Sequence, residues 1–262
     1  MVGIQLSVVS PVYRAQACID ELYHRLTAVL QPLVETYEIV LVEDSGPDQS
    51  WERIKAIAAL DPHVKGLQLS RNFGQHPAIA AGLAASQGEF VIVIDCDLQD
   101  PPEMIPHLLA KARAGFEVVY TKRRHRTTSP SKRIASRVFF FVMNTISPAF
   151  AEPGQGSFSL IARPVVQEYL RVADVHSHYL SVLRWLGFRS TSVEVEQEPR
   201  FAGESSYSLR KLISHALSGI AAQSTRLGGG RKQLTAIVID RSGEPLHKSR
   251  DERRDHCVLA SV

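Results

Sequence analysis

Cysteine is scarce in this chain, with three among 262 residues: Cys18, Cys96 and Cys257. An odd number argues against a disulfide framework, the spacing is not that of a metal site, and a reducing compartment is the simpler expectation. No apolar run reaches the ~18–20 residues that a membrane-spanning helix needs. The N-terminus enters I-Q-L-S-V-V-S with no basic leader and no long apolar core, so no signal peptide is expected. No G-x-G-x-x-G follows the first apolar stretch, which argues against a dinucleotide-dependent oxidoreductase. Acidic residues are missing between Lys122 and Arg137, where seven Lys or Arg gather, although the whole chain carries a net charge of only +3.

What is present is an alternation of short apolar runs and amphipathic segments. Leu6 to Ser10, Glu38 to Glu43, Val64 to Leu69, Phe90 to Asp95 and Glu117 to Tyr120 read as strands. Between them, Ile19 to Leu33, Trp51 to Leu60, Pro77 to Ser86 and Pro102 to Ala114 read as helices. Ser50 is the expected N-cap of the second helix, and Gly88 and Gly115 the helix-ending glycines. This order predicts an α/β fold: a mostly parallel sheet with helices on both faces. Farther on, Ser157 to Ala162 reads as a strand, Pro164 opens a helix, and Ser190 to Glu196 alternates like an edge strand. Leu209 to Ile220 has helical spacing. Gly228 to Gly230 interrupts the chain before a charged tail.

The candidate chemistry sits where apolar strands end. F-V-I-V-I-D-C-D places Asp95 and Asp97 after the fourth strand. Open α/β sheets bind ligands at the carboxyl ends of their strands, and hard cations such as Mg²⁺ take carboxylate oxygens together with substrate phosphates. A metal–diphosphate site is one reading; a polar loop after a core strand is the other. V-E-D-S-G-P-D, Val42 to Asp48, repeats the arrangement after the second strand. There Asp44 either meets a base or ribose or belongs to a ligand-free turn. Tyr13 follows the first strand, either to stack on a base or to cover the core.

Together these segments resemble the family 2 glycosyltransferases of GT-A fold, in the branch of polyprenyl-phosphate glycosyltransferases that includes dolichyl-phosphate mannose synthase. The resemblance rests on S-V-V-S-P-V-Y from Ser7, V-E-D-S-G-P-D-Q-S-W from Val42 and L-S-R-N-F-G-Q-H-P-A-I-A-A-G-L from Leu69. It continues through I-D-C-D-L-Q-D-P-P-E from Ile94, G-S-F-S-L-I-A-R from Gly156 and R-F-A-G-E-S-S-Y-S-L-R-K-L from Arg200. It implies a Rossmann-like catalytic domain over 1–227, with a nucleotide-sugar half of about 1–121, an acceptor half of about 122–227 and a divergent tail over 228–262.

The implied activity is metal-dependent, inverting transfer of a sugar from a UDP- or GDP-linked donor to a polyprenyl phosphate or other cell-envelope acceptor. The donor site would comprise Pro11, Val12, Tyr13, Glu43, Asp44, Arg71, Asn72, Asp95, Cys96, Asp97 and Gln99, with Asp97 holding Mg²⁺ or Mn²⁺. Arg71 has the alternative of an ion pair at the sheet edge. Asp100 to Glu103 have the alternative of simply capping the next helix. Arg123, Lys132, Arg133, Ser157, Arg200 and Ser205 would face the acceptor, since arginine matches phosphate with a planar fork. Asp95, Asp97, Arg123 and Arg200 are the expected catalytic set.

Two departures from the pattern carry consequences. Many relatives have an acidic residue in G-D-F-R-L where this chain has Ser157, and a basic one where it has Ser159. Serine cannot act as a carboxylate base: a phosphate acceptor, already nucleophilic, needs none, whereas a hydroxyl acceptor would lack one, and the departure leaves room for an acceptor different from that of those relatives. Many relatives also carry two transmembrane helices after the segment matching Gln223 to Arg226. Here L-G-G-G-R-K and a charged tail follow, so a cytoplasmic protein, soluble or peripheral on the membrane, is expected. The Arg133 to Ile146 segment, basic and then aromatic, reads either as an interfacial helix or as a core helix. A homo-oligomer is compatible with the sequence, and a nucleic-acid partner is not expected. The competing reading is a non-catalytic binder that keeps the nucleotide pocket and has lost acceptor chemistry.

Overall fold

Apolar, β-branched runs become the strands of one seven-stranded sheet in the computed structural model, which describes residues 3–123, 154–173, 178–199 and 201. The strands are β1 (Leu6–Val12), β2 (Tyr37–Glu43), β3 (Val64–Gln68), β4 (Phe90–Val93), β5 (Val118–Arg123), β6 (Gln155–Ala162) and β7 (Ser190–Val195). Their spatial order is β3-β2-β1-β4-β6-β5-β7. Only β6 runs against the others, pairing antiparallel with both β4 and β5. The expected mostly parallel α/β sheet is therefore present, and the parts described on either side of residue 121 share it.

Both central strands, β1 and β2, are buried along their full length, as a sheet covered on two faces requires. Side chains alternate between two apolar clusters. Leu6, Val8, Ile39 and Leu41 pack with residues of α1 (Gln16–Leu30), α2 (Ser50–Leu60) and α4 (Ile105–Arg113). Val9, Val40, Val42, Val91 and Val93 pack with α3 (Gln75–Ala85), α5 (Arg163–Val172) and α6 (Tyr179–Leu186). The alanine-rich α3 lies so close to the sheet that a Cβ on Gly82 would run into Val9. Small residues on that helix set the approach of its N-terminus to the strand ends.

Some boundaries differ from the sequence expectation. Ser50 is the first helical residue of α2, not its cap. Its hydroxyl donates to Asp48 Oδ2 (2.9 Å) and accepts the Ala15 amide (3.3 Å), which joins the starts of α1 and α2. Pro102–Met104 form a 3₁₀ turn before α4. β5 runs three residues past Tyr120, through an irregularity in its pairing with β6, and so delivers Arg123 to the same edge as Asp95. Helix α6 has no counterpart among the expectations, because eight mostly apolar residues show too little of a polar face to be told from other core segments. The readings for Arg133 to Ile146, Leu209 to Ile220 and the tail lie outside the described residues. Among the described residues no helix is long and apolar enough to cross a membrane.

Candidate active site

Three strands release the chain at one edge, and each exit is strained. Arg14 after β1, Ser45 after β2 and Leu98 after β4 adopt positive φ of 51°, 52° and 59°. Non-glycine residues are uncommon there, cost about 1–3 kcal/mol each, and cluster at functional sites.

The exit from β2 is built around two acids. Glu43 accepts the Ser45 amide (3.0 Å), the Gly46 amide and the Gln68 side-chain amide (3.1 Å), and so holds the turn shut. Asp44 is buried, with its Oδ1 accepting the Phe73 amide (2.7 Å) and its Oδ2 the Gly74 amide (2.8 Å). Burial pushes its carboxyl above the usual range, and the two amides oppose that rise. Asp44 thus anchors the loop that carries Arg71, Asn72 and Phe73. Arg71 stacks on that loop, its guanidinium 4.0 Å from the Phe73 ring centre. Asp44→Ala would leave two amides without their acceptor. We expect a loss of about 2 kcal/mol in a urea titration and faster amide exchange over residues 70–74.

At the exit from β1, Pro11 and Val12 are buried in the sheet, whereas Tyr13 is 39% exposed, with the Arg14 guanidinium 5.4 Å from its ring centre. Tyr13 is therefore partly covered at the strand exit, with the Arg14 guanidinium against its ring.

The exit from β4 gathers most of the acidic charge. Ile94 still bonds to Val9, 3.0 Å from N to O, so Asp95 leaves the sheet from a rigid base. Gln75, at the first position of α3, donates to Asp95 Oδ1 at 2.6 Å, and its Nε2 lies 3.5 Å from Ser157 Oγ. Desolvation pushes Asp95 up to about 6; the Ser157 hydroxyl opposes this, and the nearby charges of Asp97 and Asp100 add to it. Asp97 accepts the Gln99 amide at 3.2 Å. The Cys96 thiol is buried and pushed well upward by that burial, which keeps it protonated and poor as a ligand.

Asp100 is buried too, accepting from Gln197 Nε2 at 3.3 Å and facing Arg123 Nη2 at 3.6 Å. Glu103 stands in the first turn of the 3₁₀ segment, where no N-cap side chain bonds to the turn, and its carboxylate pairs with Arg25. Arg123 lies flat against Gly156, where an added Cβ would sit 3.1 Å from Nη2, and its Nε is buried without a hydrogen-bond acceptor.

Asp95, Asp97, Gln99, Ser157 and Arg123 therefore meet around one edge of β4, β5 and β6, while Asp44, Arg71 and Asn72 meet beside it. Lys132, Arg133, Arg200 and Ser205 lie outside the described residues. Gln75 and Gln197 were not expected at the site. Gln75 stands within the R-N-F-G-Q-H motif, but no spacing rule tells that a first-turn glutamine reaches an aspartate twenty positions on.

Parallel βα units that feed an acidic loop after the fourth strand, with an antiparallel strand beyond it, define a glycosyltransferase fold of GT-A type. The family profile described as Glycosyl transferase family 2 matches residues 7–170, and the chain belongs to that family. It is a glycosyltransferase. It is 37% identical over 220 residues to the uncharacterized glycosyltransferase YkcC of Bacillus subtilis, an alignment covering 83% of this chain and 68% of that protein. It is 36% identical over 212 residues to undecaprenyl-phosphate 4-deoxy-4-formamido-L-arabinose transferase of Salmonella enteritidis, covering 80% of this chain and 64% of the relative. Among solved structures, glucosyl-3-phosphoglycerate synthase from Mycobacterium tuberculosis, in complex with Mn²⁺, uridine diphosphate and phosphoglyceric acid, superposes with a TM-score of 0.59. That match covers 87% of this chain and 80% of the other at 19% identity, and is a likeness of fold.

Proposed function

We propose that this glycosyltransferase moves a sugar from a UDP- or GDP-linked donor to a polyprenyl phosphate or a related cell-envelope acceptor, inverting the anomeric centre in a single displacement. The observation that carries the reading is the pair Asp95 and Asp97 at the carboxyl end of β4, with Arg123 on the neighbouring strand end. Support for the acceptor comes from the Salmonella relative, whose name specifies undecaprenyl phosphate. Support for the donor comes from fold neighbours that hold uridine diphosphate with Mn²⁺.

The residues fit a divalent cation that arrives together with the donor. Among the described residues no three His, Cys, Asp or Glu side chains converge as a closed metal site. Mg²⁺-type ions are commonly held by one or two carboxylates and completed by substrate phosphates. Asp95 is raised chiefly by desolvation, with the charges of Asp97 and Asp100 adding to it, and a cation would offset both. Asp97 would hold the ion, with Asp95 beside it. When bound, the ion stabilises the charge growing on the departing diphosphate.

The chain's own side chains do the rest. Gln75 and Ser157 fix the orientation of Asp95. Asp44 shapes the Arg71–Phe73 loop against the donor, and Tyr13 offers a stacking face. Arg123 would draw an acceptor phosphate toward the edge. Such a phosphate needs positioning and no base, which agrees with serine at position 157. We place the catalytic unit at 1–227, with Lys132, Arg133, Arg200 and Ser205 as further acceptor contacts.

The test is a transfer and hydrolysis screen with UDP- and GDP-sugars, with and without Mg²⁺ or Mn²⁺, and with undecaprenyl phosphate in detergent as acceptor. Metal-dependent appearance of a lipid-linked sugar supports the reading. Donor binding with no transfer to any acceptor favours the binder, and transfer that ignores both cations removes the metal.

A further inference from the structure

Residues 197–199 and 201 are tied to the acidic loop at three points. The Glu198 amide donates to the Gln99 carbonyl at 2.9 Å, the Phe201 amide to the Asp97 carbonyl at 3.5 Å, and the Gln197 side chain to Asp100 at 3.3 Å. Residues 197–199 form an arm that follows β7 and has no regular structure to hold it in place. Two hydrogen bonds from backbone amides and one from a side chain are individually weak in water.

One guanidinium supplies the missing constraint. Arg25, in the middle of α1, reaches both sides of the crossing. Its Nε donates to Glu103 Oε1 at 2.9 Å and its Nη2 to Oε2 at 2.5 Å, while Nη1 donates to Glu198 Oε2 at 2.9 Å and Nη2 to Oε1 at 3.1 Å. Both carboxylates are therefore gripped in bidentate geometry, the strongest and most directional form of this pair. The Arg25 side chain is 19% exposed, whereas Glu103 and Glu198 are 53% and 47% exposed, so solvent screens the charges in part and the forked geometry supplies the directionality. Glu103 ends the segment that begins at Asp95, and Glu198 lies in the arm beside Gln197. Helix α1 itself is packed into the core through Leu22 and Leu26 on either side of Arg25.

We propose that Arg25 is a positioning residue of the glycosyl-transfer site, clamping Glu198 to Glu103 so that the 197–199 arm stays seated across the Asp97–Asp100 loop. Arg25 touches no reacting atom in this assignment. It acts through Glu198 on the backbone that orients Asp97 and Gln99. The functional half rests on the reading of Asp97 given above; the mechanical half does not.

The experiment uses the full chain. Glu198→Gln severs the arm and leaves the Arg25–Glu103 pair on the body of the fold. In ligand-free amide exchange, peptides covering 97–100 and 197–201 should exchange at least ~10-fold faster in Glu198→Gln than in the parent, with β1 and β2 unchanged. Arg25→Gln should do the same, and Arg25→Lys should give an intermediate increase, because one ammonium cannot hold both carboxylates in forks. Calorimetry with UDP or GDP and Mn²⁺ should show several-fold weaker cation-dependent binding in Glu198→Gln, with thermal unfolding within a few degrees of the parent. Unchanged exchange in the two peptides overturns the clamp. Faster exchange with unaltered cation-dependent binding overturns its link to the site. A parent that binds neither nucleotide with Mn²⁺ overturns the donor reading, and with it that link, while the exchange data still decide the clamp.

Discussion

Asp97→Ala should abolish metal-dependent donor turnover, lowering kcat/KM by roughly 10³-fold or more, while the chain stays folded. The carboxylate leaves β4 beyond the last sheet pairing, so its loss opens no cavity in either apolar cluster. On the proposed reading, what would be lost is a charge-assisted ligand to the cation that steadies the leaving diphosphate. Binding of UDP or GDP alone should change little. The added affinity that Mn²⁺ confers on the nucleotide should vanish, which calorimetry measures as the difference between titrations with and without the ion. Circular dichroism and thermal unfolding matching the parent exclude a folding defect. A variant that still turns over donor in a metal-dependent way would remove Asp97 from the assignment.

Asp95→Asn should separate stability from activity in opposite directions. The ionised Asp95 is held in a poorly solvated place beside two other carboxylates, and its carboxyl ionises near 6 instead of near 4. Between those values the folded state keeps a proton that the unfolded state has lost. Stability from this group therefore declines as pH rises from about 4 to about 6 and stays low above that. Asparagine has almost the same shape. Its oxygen can accept from Gln75 and its nitrogen can donate to Ser157 Oγ.

We expect Asp95→Asn to be more stable than the parent at pH 7 by on the order of 2 kcal/mol, a gain of a few degrees in Tm. The gain should shrink to nothing by about pH 4. Transfer should fall by at least 10²-fold, because the amide supplies no charge to the cation and diphosphate. In the parent, Mn²⁺ affinity in the presence of nucleotide should climb with pH through about 6, since the ion must displace the proton. A variant less stable than the parent at pH 7, or parent affinity that is flat across pH 5 to 7, would contradict this account.

Much of the fold is legible in the chain because its signals are local. The runs at Val8, Ile39 and Ile92 are buried on both faces of the sheet, so they are apolar throughout and bounded by turn residues. Asp44, Asp95 and Asp97 are visible for the same reason: acids at the end of such a run stand out. Strand β6 was legible as a strand, but its place between β4 and β5, and its reversed direction, depend on pairing between distant segments. That placement brings Ser157 to Asp95 and Gly156 under Arg123.

The same distinction applies to the supporting side chains. Gln75, Gln197 and Arg25 look like ordinary polar helix or loop residues in one dimension. Their roles come from the packing of α3 and α1 on opposite faces of the sheet, and from the course of the arm after β7. Sequence alone determined which segments enter the core and which acids emerge from it, since hydrophobic period and turn chemistry act over a few residues. Only the tertiary structure decided which groups hold those acids in place, because hydrogen bonds between residues 20 to 173 positions apart obey distance in space and leave no periodic trace along the chain.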